Sequence, residues 1–226
     1  MTWQQNTVEE LLGPLSPEEL KAMPGILYWQ GDKQLLITGP RIAIVGSRKA
    51  STEGTEMAKD LAIKLVKQGA TIVSGLALGI DTAAHTAAIN TGGRTIAVLA
   101  TPPGGYAVRS NRTLQDKIGR GHLLISQFKP NSPVVRRNFP MRNRTMAILS
   151  DATIIVEAGE TSGTRHQGWE SIRCGRPVLF SPKLLSREDL TWPKEMLNYG
   201  AVSLEEVRLK ELLNELPSTP VESVPF

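Results

Sequence analysis

Apolar positions along the chain fall into two alternating patterns. Short, nearly unbroken runs rich in Ile and Val cover 41–46, 70–75, 95–99, 123–126, 152–157 and 177–180, and read as strands. Between them, 57–68, 81–90, 111–118, 142–149 and 167–174 carry apolar residues at helical spacing. Fully apolar strands alternating with amphipathic helices predict a parallel sheet covered on both faces. The expected fold is therefore α/β: an extended Rossmann-like, doubly wound, mostly parallel sheet.

The flanking regions are less regular. Thr7 or Asn6 can cap a helix over 7–12, and Ser16-Pro17 opens a second helix that Pro24 ends. Ile26–Trp29 and Leu35–Ile37, around a Gly31-Asp32 turn, read as short edge elements. Beyond Pro182 regularity fades until a helix over 203–216, with Ser203 as its cap and Glu205-Glu206 in its first turn. A Pro/Ser tail, 217–226, has the composition of a disordered segment. This divides the chain into an N-terminal helical extension (1–23), a Rossmann-like domain (24–202) and a C-terminal helix with its tail (203–226).

Composition narrows the function classes. A net charge of +4 permits a polyanionic partner without requiring one. Cys174 is the only cysteine, so no intramolecular disulfide forms, and a reducing cytoplasm is the simplest fit. Its expected role is packing. The first ten residues are polar and acidic, and no run approaches the ~20 apolar residues of a membrane span.

In doubly wound folds, ligands sit beyond the carboxyl ends of the strands. There the chain carries Gly46-Ser47-Arg48, then Ser74-Gly75-Leu76-Ala77 running to Gly79 and Asp81, and then Glu157 through Gly163. Gly46 allows a tight turn, while Ser47, Arg48 and the backbone N–H groups at a helix start suit a phosphate. The dinucleotide fingerprint and the P-loop Lys-Ser/Thr pair are both missing, which argues against a standard NAD or ATP site. No cofactor is expected. Gly75 and Gly79 permit close backbone approach. Asp81 reads as a helix cap, and His85, one turn later, as the holder of a buried structural hydrogen bond. Ser162-Gly163-Thr164 is either a phosphate cradle or a plain glycine turn. The densest cluster is Arg136, Arg137, Phe139, Arg142, Asn143 and Arg144: four guanidinium groups, an amide and a ring. Arginine forks match phosphates, and a ring among cations is a common way to hold single-stranded nucleic acid. The alternative is a solvated basic loop.

In this order the motifs resemble the DNA-processing protein A (DprA/Smf) family of single-strand DNA-binding proteins of bacterial transformation. The resemblance covers roughly residues 24–182. It rests on Leu27-Tyr28 with Gly31-Asp32, Ile44-Val45-Gly46-Ser47-Arg48, Ile72–Ala77 with Gly79-Ile80-Asp81 and Ala84-His85, Phe139-Pro140 with Arg142-Asn143-Arg144, and Ser162-Gly163. It implies a non-enzymatic, homodimeric protein that binds single-stranded DNA and helps load a RecA-type recombinase. It places Gly46, Ser47 and Arg48 at a phosphate pocket, Gly75 and Ala77 where the backbone comes close to the strand, and Arg136 at a strand contact. Phe139, Arg142, Asn143 and Arg144 would shape the groove.

Three departures stand out. Gln127 occupies a usual Glu position, and the Tyr106–Asn111 segment is a residue longer than usual. After Ser162-Gly163, the family's small residues give way to Thr164-Arg165-His166-Gln167-Gly168-Trp169-Glu170. This last segment is faintly similar to nucleotide phosphoribohydrolases. A glycosidase using Glu157 or Glu170, and a module sensing a signalling nucleotide, are therefore the competing readings. Too little chain follows Leu216 for the family's winged-helix-like domain, so the expectation is a shortened member from transformation or a mobile element.

Overall fold

The computed structural model describes residues 2–205, 211–214 and 216. Nine strands form one sheet: β1 (Gln4–Thr7), β2 (Ile26–Gly31), β3 (Arg41–Val45), β4 (Thr71–Ser74), β5 (Arg94–Leu99), β6 (Leu123–Ser126), β7 (Ala152–Ile155), β8 (Val178–Phe180) and β9 (Val202–Ser203). Their order is β1-β2-β6-β5-β4-β3-β7-β8-β9. From β6 to β9 every pairing is parallel; β2 joins β6, and β1 joins β2, in antiparallel register. The chain winds outward from β3 through β4, β5 and β6, then returns to place β7 on the other side of β3. The gap between the ends of β3 and β7 is thus the topological switch point, where such sheets hold ligands.

The helices are α1 (Val8–Leu12), α2 (Pro17–Ala22), α3 (Thr52–Lys67), α4 (Ile80–Asn90), α5 (Arg112–Gly121), α6 (Asn138–Leu149), α7 (Gly163–Arg173), α8 (Pro182–Leu185) and α9 (Trp192–Leu197). Strand alternation explains the layers. Ile42 and Ile44 of β3 face a core with Leu61 and Leu65 of α3 and Ala84 of α4. Ala43 and Val45 face the opposite core, with Met146 and Ile148 of α6 and with Trp192 and Met196 of α9. Both faces are covered, as continuous apolar strands demand. Thr7 and Ser16 each cap their helix in a reciprocal box with Glu10 and Glu19. Among the described residues no helix is long and apolar enough to cross a membrane.

Several boundaries differ from the sequence reading. Residues 33–36 form a 3₁₀ turn rather than an edge strand, because Asp32 accepts from the Gln34 N–H at 3.0 Å and Leu35 and Leu36 are buried. β1 and the short helices α8 and α9 have no counterpart in that reading. Ser51 and Ser162 cap α3 and α7, which start five and four residues early. Ser203 caps no helix; it lies in β9 beside Phe180. Residues 211–214 are helical, while 206–210, where the expected helix would start, and the tail 217–226 lie outside the described residues.

Candidate functional site

A cavity of about 490 Å³ opens at the switch point. Three segments make its rim. Beyond β3, the Ser47 N–H donates to the Glu157 carbonyl at 2.6 Å, tying the first loop to the end of β7. Beyond β4, the loop over 75–79 contributes Ala77. Beyond β7, Ser162 starts α7, its hydroxyl accepting from the Thr164 N–H at 3.2 Å. The N-terminal end of α7 therefore faces the cavity with its partial positive charge. α6 closes the remaining side.

The middle loop is held under constraint. Buried Leu76 adopts φ +56°, a backbone conformation that is costly for a side-chain-bearing residue. Asn111 Nδ2 donates to the Leu76 carbonyl at 3.1 Å and to the Thr82 hydroxyl at 2.8 Å. Asp81 does not cap α4, as the sequence suggested. Gly79 is the N-cap, and the Asp81 carboxylate instead accepts from the Gly75 and Ala77 N–H groups at 3.1 and 3.2 Å. Asn111 and Asp81 thus clamp the loop from both sides.

Arg142 is the central charge of the site. It is buried, donates from Nη1 to the Val98 carbonyl at 3.0 Å, and has no partner for its Nε among the described residues. A Cβ on Gly75 would stand 1.4 Å from Arg142 Nη1, so residue 75 must be glycine for the guanidinium to lie there. Burial pushes the Asp81 carboxyl above its usual range, and the charge of Arg142 opposes that rise. Burial likewise lowers the Arg142 pKa; Asp81 counters the shift and Arg48 adds to it. Asp81 and Arg142 each oppose the shift that burial imposes on the other, and the guanidinium keeps its Nε free to donate to an anion.

Exposed Arg48 sits over the Phe139 ring at 5.0 Å from its centroid. This stacked pair, with Ala77 and Arg142, also lines a second cavity of about 420 Å³ on its far side. The mouth of the site is therefore a cation-backed aromatic surface between two hollows, a platform on which a base can stack.

Of the residues singled out in the sequence, Gly46, Ser47, Arg48, Ala77, Phe139, Arg142, Asn143, Ser162, Gly163 and Thr164 line the main cavity. Asn143 Nδ2 donates to the Gly163 carbonyl at 3.1 Å and so joins α6 to the start of α7. Ser74 and Gly75 lie outside this lining: Ser74 Oγ donates to the Ile44 carbonyl at 2.7 Å, and Gly75 makes room for Arg142. Arg136 and Arg137 are exposed in the turn before α6 and line neither cavity. Arg144 lies on another face of α6, where Nε donates to Glu170 at 2.7 Å.

Lys49, Thr161, Asp81 and Gln167 also line the cavity, as do Val45, Met146 and Gly159, and none of them was read as a site residue from sequence. Gln167 had an available signal, since it stands one helical turn after Thr164.

Glu157 accepts from the Ser51 N–H and hydroxyl, and Glu170 pairs with Arg144 and Arg173, so both carboxylates are engaged away from the cavity. Fully buried His85 places Nδ1 2.7 Å from the Thr95 hydroxyl, and burial pushes its pKa down to about 3, so it stays neutral at ordinary pH. Half-buried Cys174 packs against the core, and burial raises its thiol pKa, which disfavours a reactive thiolate.

Residues 9–217 match the family described as DNA recombination-mediator protein A. The chain is 34% identical over 202 residues to the DNA processing protein DprA of Bacillus subtilis, covering 88% of this chain and 66% of that one. It thus spans slightly less than two thirds of that relative's length. The solved DNA processing protein A of Streptococcus pneumoniae superposes with a TM-score of 0.80 at 32% identity, over 95% of this chain and 75% of that one. The Helicobacter pylori DNA processing protein A, whose structure addresses its single-stranded DNA binding mode, gives 0.78 at 27% identity, over 95% and 98%. In fold, ordered motifs and overall similarity, the chain belongs to the DNA recombination-mediator protein A family.

Proposed function

We propose that this chain binds single-stranded DNA at the switch-point cavity, without chemical turnover, and as a homodimer delivers the strand to a RecA-type recombinase during DNA uptake or a related mobile-element process. The observation that carries the reading is the convergence of Arg48 stacked on Phe139, buried Arg142 and the start of α7 around one opening. Guanidinium groups and helix N–H groups accept phosphates, and the ring offers a surface to any base, so the site suits a strand of arbitrary sequence. The single-stranded DNA binding mode of the Helicobacter pylori relative supports the ligand. The engagement of Glu157 and Glu170 elsewhere weighs against a glycosidase.

The test is fluorescence anisotropy of a labelled oligo(dT) of about 35 nucleotides across several salt concentrations, with duplex competitor. Affinity is expected to fall steeply with salt, because each phosphate contact releases condensed counterions. Arg48→Ala is expected to weaken binding by about 1–3 kcal/mol, the size of one charge-assisted contact. An unchanged Kd in that variant would remove Arg48 from the interface. No binding at low salt, together with thermal stabilisation by mononucleotides, would replace the reading with a nucleotide-binding module.

A further inference from the structure

Gln167 lines the cavity and is only 1% exposed, yet neither its amide nitrogen nor its amide oxygen has a hydrogen-bond partner among the described residues. A buried carboxamide with both ends unmet is expensive. The neighbourhood does not relieve it. Ser162 and Thr164 bond to each other, and Asn143 donates to the Gly163 carbonyl. The unmet Nε of Arg142, on the same cavity, is a further donor and cannot serve the Gln167 nitrogen.

A phosphate answers half of this demand. A phosphodiester only accepts, so it can satisfy the Gln167 nitrogen and Arg142 Nε but leaves the Gln167 oxygen bare. The unpaired edge of a nucleobase offers a donor and an acceptor side by side, which matches a carboxamide in its own plane. In a duplex that edge is already paired.

We infer that Gln167 reads the free edge of one nucleobase drawn into the cavity, and that this contact adds preference for single strands over duplex to a site otherwise built on phosphates and stacking. The inference rests on the single-stranded DNA reading. The same base-edge chemistry could come from a strand or from a free mononucleotide, and the arms of the test separate the two.

The experiment compares oligo(dT) with an oligomer of equal length in which thymine is replaced by difluorotoluene, an isostere that keeps the shape and stacks but forms no comparable hydrogen bonds. Wild-type protein is expected to bind oligo(dT) roughly 5- to 100-fold more tightly, the range of one bidentate base contact. Gln167→Met, close in shape and without hydrogen-bonding capacity to match, is expected to bind the two oligomers within about twofold of each other. Equal wild-type affinity for both would overturn the inference and leave the amide to an internal water. A gap that persisted undiminished in Gln167→Met would also overturn it. The wild-type comparison stands even if the variant fails to fold. Should neither oligomer bind, the strand reading itself falls. Thermal stabilisation of wild type but not of Gln167→Met by thymidine monophosphate would then keep the base-edge assignment at a nucleotide site, and its absence would sink that as well.

Discussion

Arg142→Ala is expected to cost about 3–5 kcal/mol of stability, the range for stripping a buried ion of its counter-charge, and to abolish measurable strand binding. The size follows from what remains. Asp81 stays buried without the cation that opposes its pKa rise, the Val98 carbonyl loses the guanidinium donor, and the space filled by the guanidinium empties. The loss should also depend on pH in a definite direction. The folded-state pKa of Asp81 is already raised by burial, and removal of Arg142 takes away the influence that opposes the rise. A group whose folded pKa exceeds its unfolded value binds more protons in the folded state, so stability falls as pH rises through that interval. The cost of the substitution should therefore be largest above the raised Asp81 pKa and shrink as the carboxyl protonates. Chemical denaturation of both proteins between about pH 8 and 5 measures it. Asp81→Asn in the Arg142→Ala background should recover part of the loss, giving a non-additive double-mutant cycle. A pH-independent difference, with strictly additive effects, would show that the two groups do not interact.

Much of this architecture was legible because parallel strands buried on both faces leave an unmistakable pattern. The runs ending at Gly46, Gly75 and Glu157 marked the sheet, and the rule that ligands collect beyond strand ends located the cavity. The basic cluster was legible in composition but not in direction. The helical spacing in the sequence starts at Arg142, which leaves Arg136 to Met141 outside the expected helix. Proline is tolerated in a first helical turn, and α6 begins at Asn138. Once 138–149 is helical, each successive side chain is turned by about 100°, so neighbours in sequence part company in space. Arg142 and Asn143 point into the site, Arg144 turns away to Glu170, and Arg136 and Arg137 remain on the preceding turn. The electrostatic coupling of Asp81 with Arg142 spans 61 positions and two intervening strands, β5 and β6, and carries no local signal. The helix cap was the nearest explanation for an aspartate at a helix start. The short elements after Pro182 were missed for a related reason: α8 and α9 have four and six residues, too few to establish a period, and are fixed by burial of Leu184, Trp192 and Met196.

Gly79→Ala is expected to cost about 3–5 kcal/mol and to weaken strand binding with it, because two separate penalties meet at one atom. The first is conformational. Gly79 has φ +75° and ψ −123°, a region that residues with a Cβ scarcely enter. The second is steric. An added Cβ would stand 2.2 Å from the Ser47 carbonyl oxygen and 2.9 Å from that of Arg48, and these are backbone atoms that cannot swing aside. The Ser47 carbonyl also accepts from the Ile80 N–H at 3.3 Å, so the contact joins the loop after β3 to the start of α4. Pushing these apart would carry Arg48 off Phe139 and loosen the rim that Ser47 and Glu157 hold together. Gly163→Ala provides the contrast. At the first position of α7, an added Cβ meets nothing within 4 Å, so helix propensity alone should leave stability unchanged or raise it by up to about 1 kcal/mol. Urea denaturation and anisotropy on the two variants read both effects. If Gly79→Ala matched wild type in stability and affinity, the close approach of these loops would not be what holds Arg48 at the mouth of the cavity.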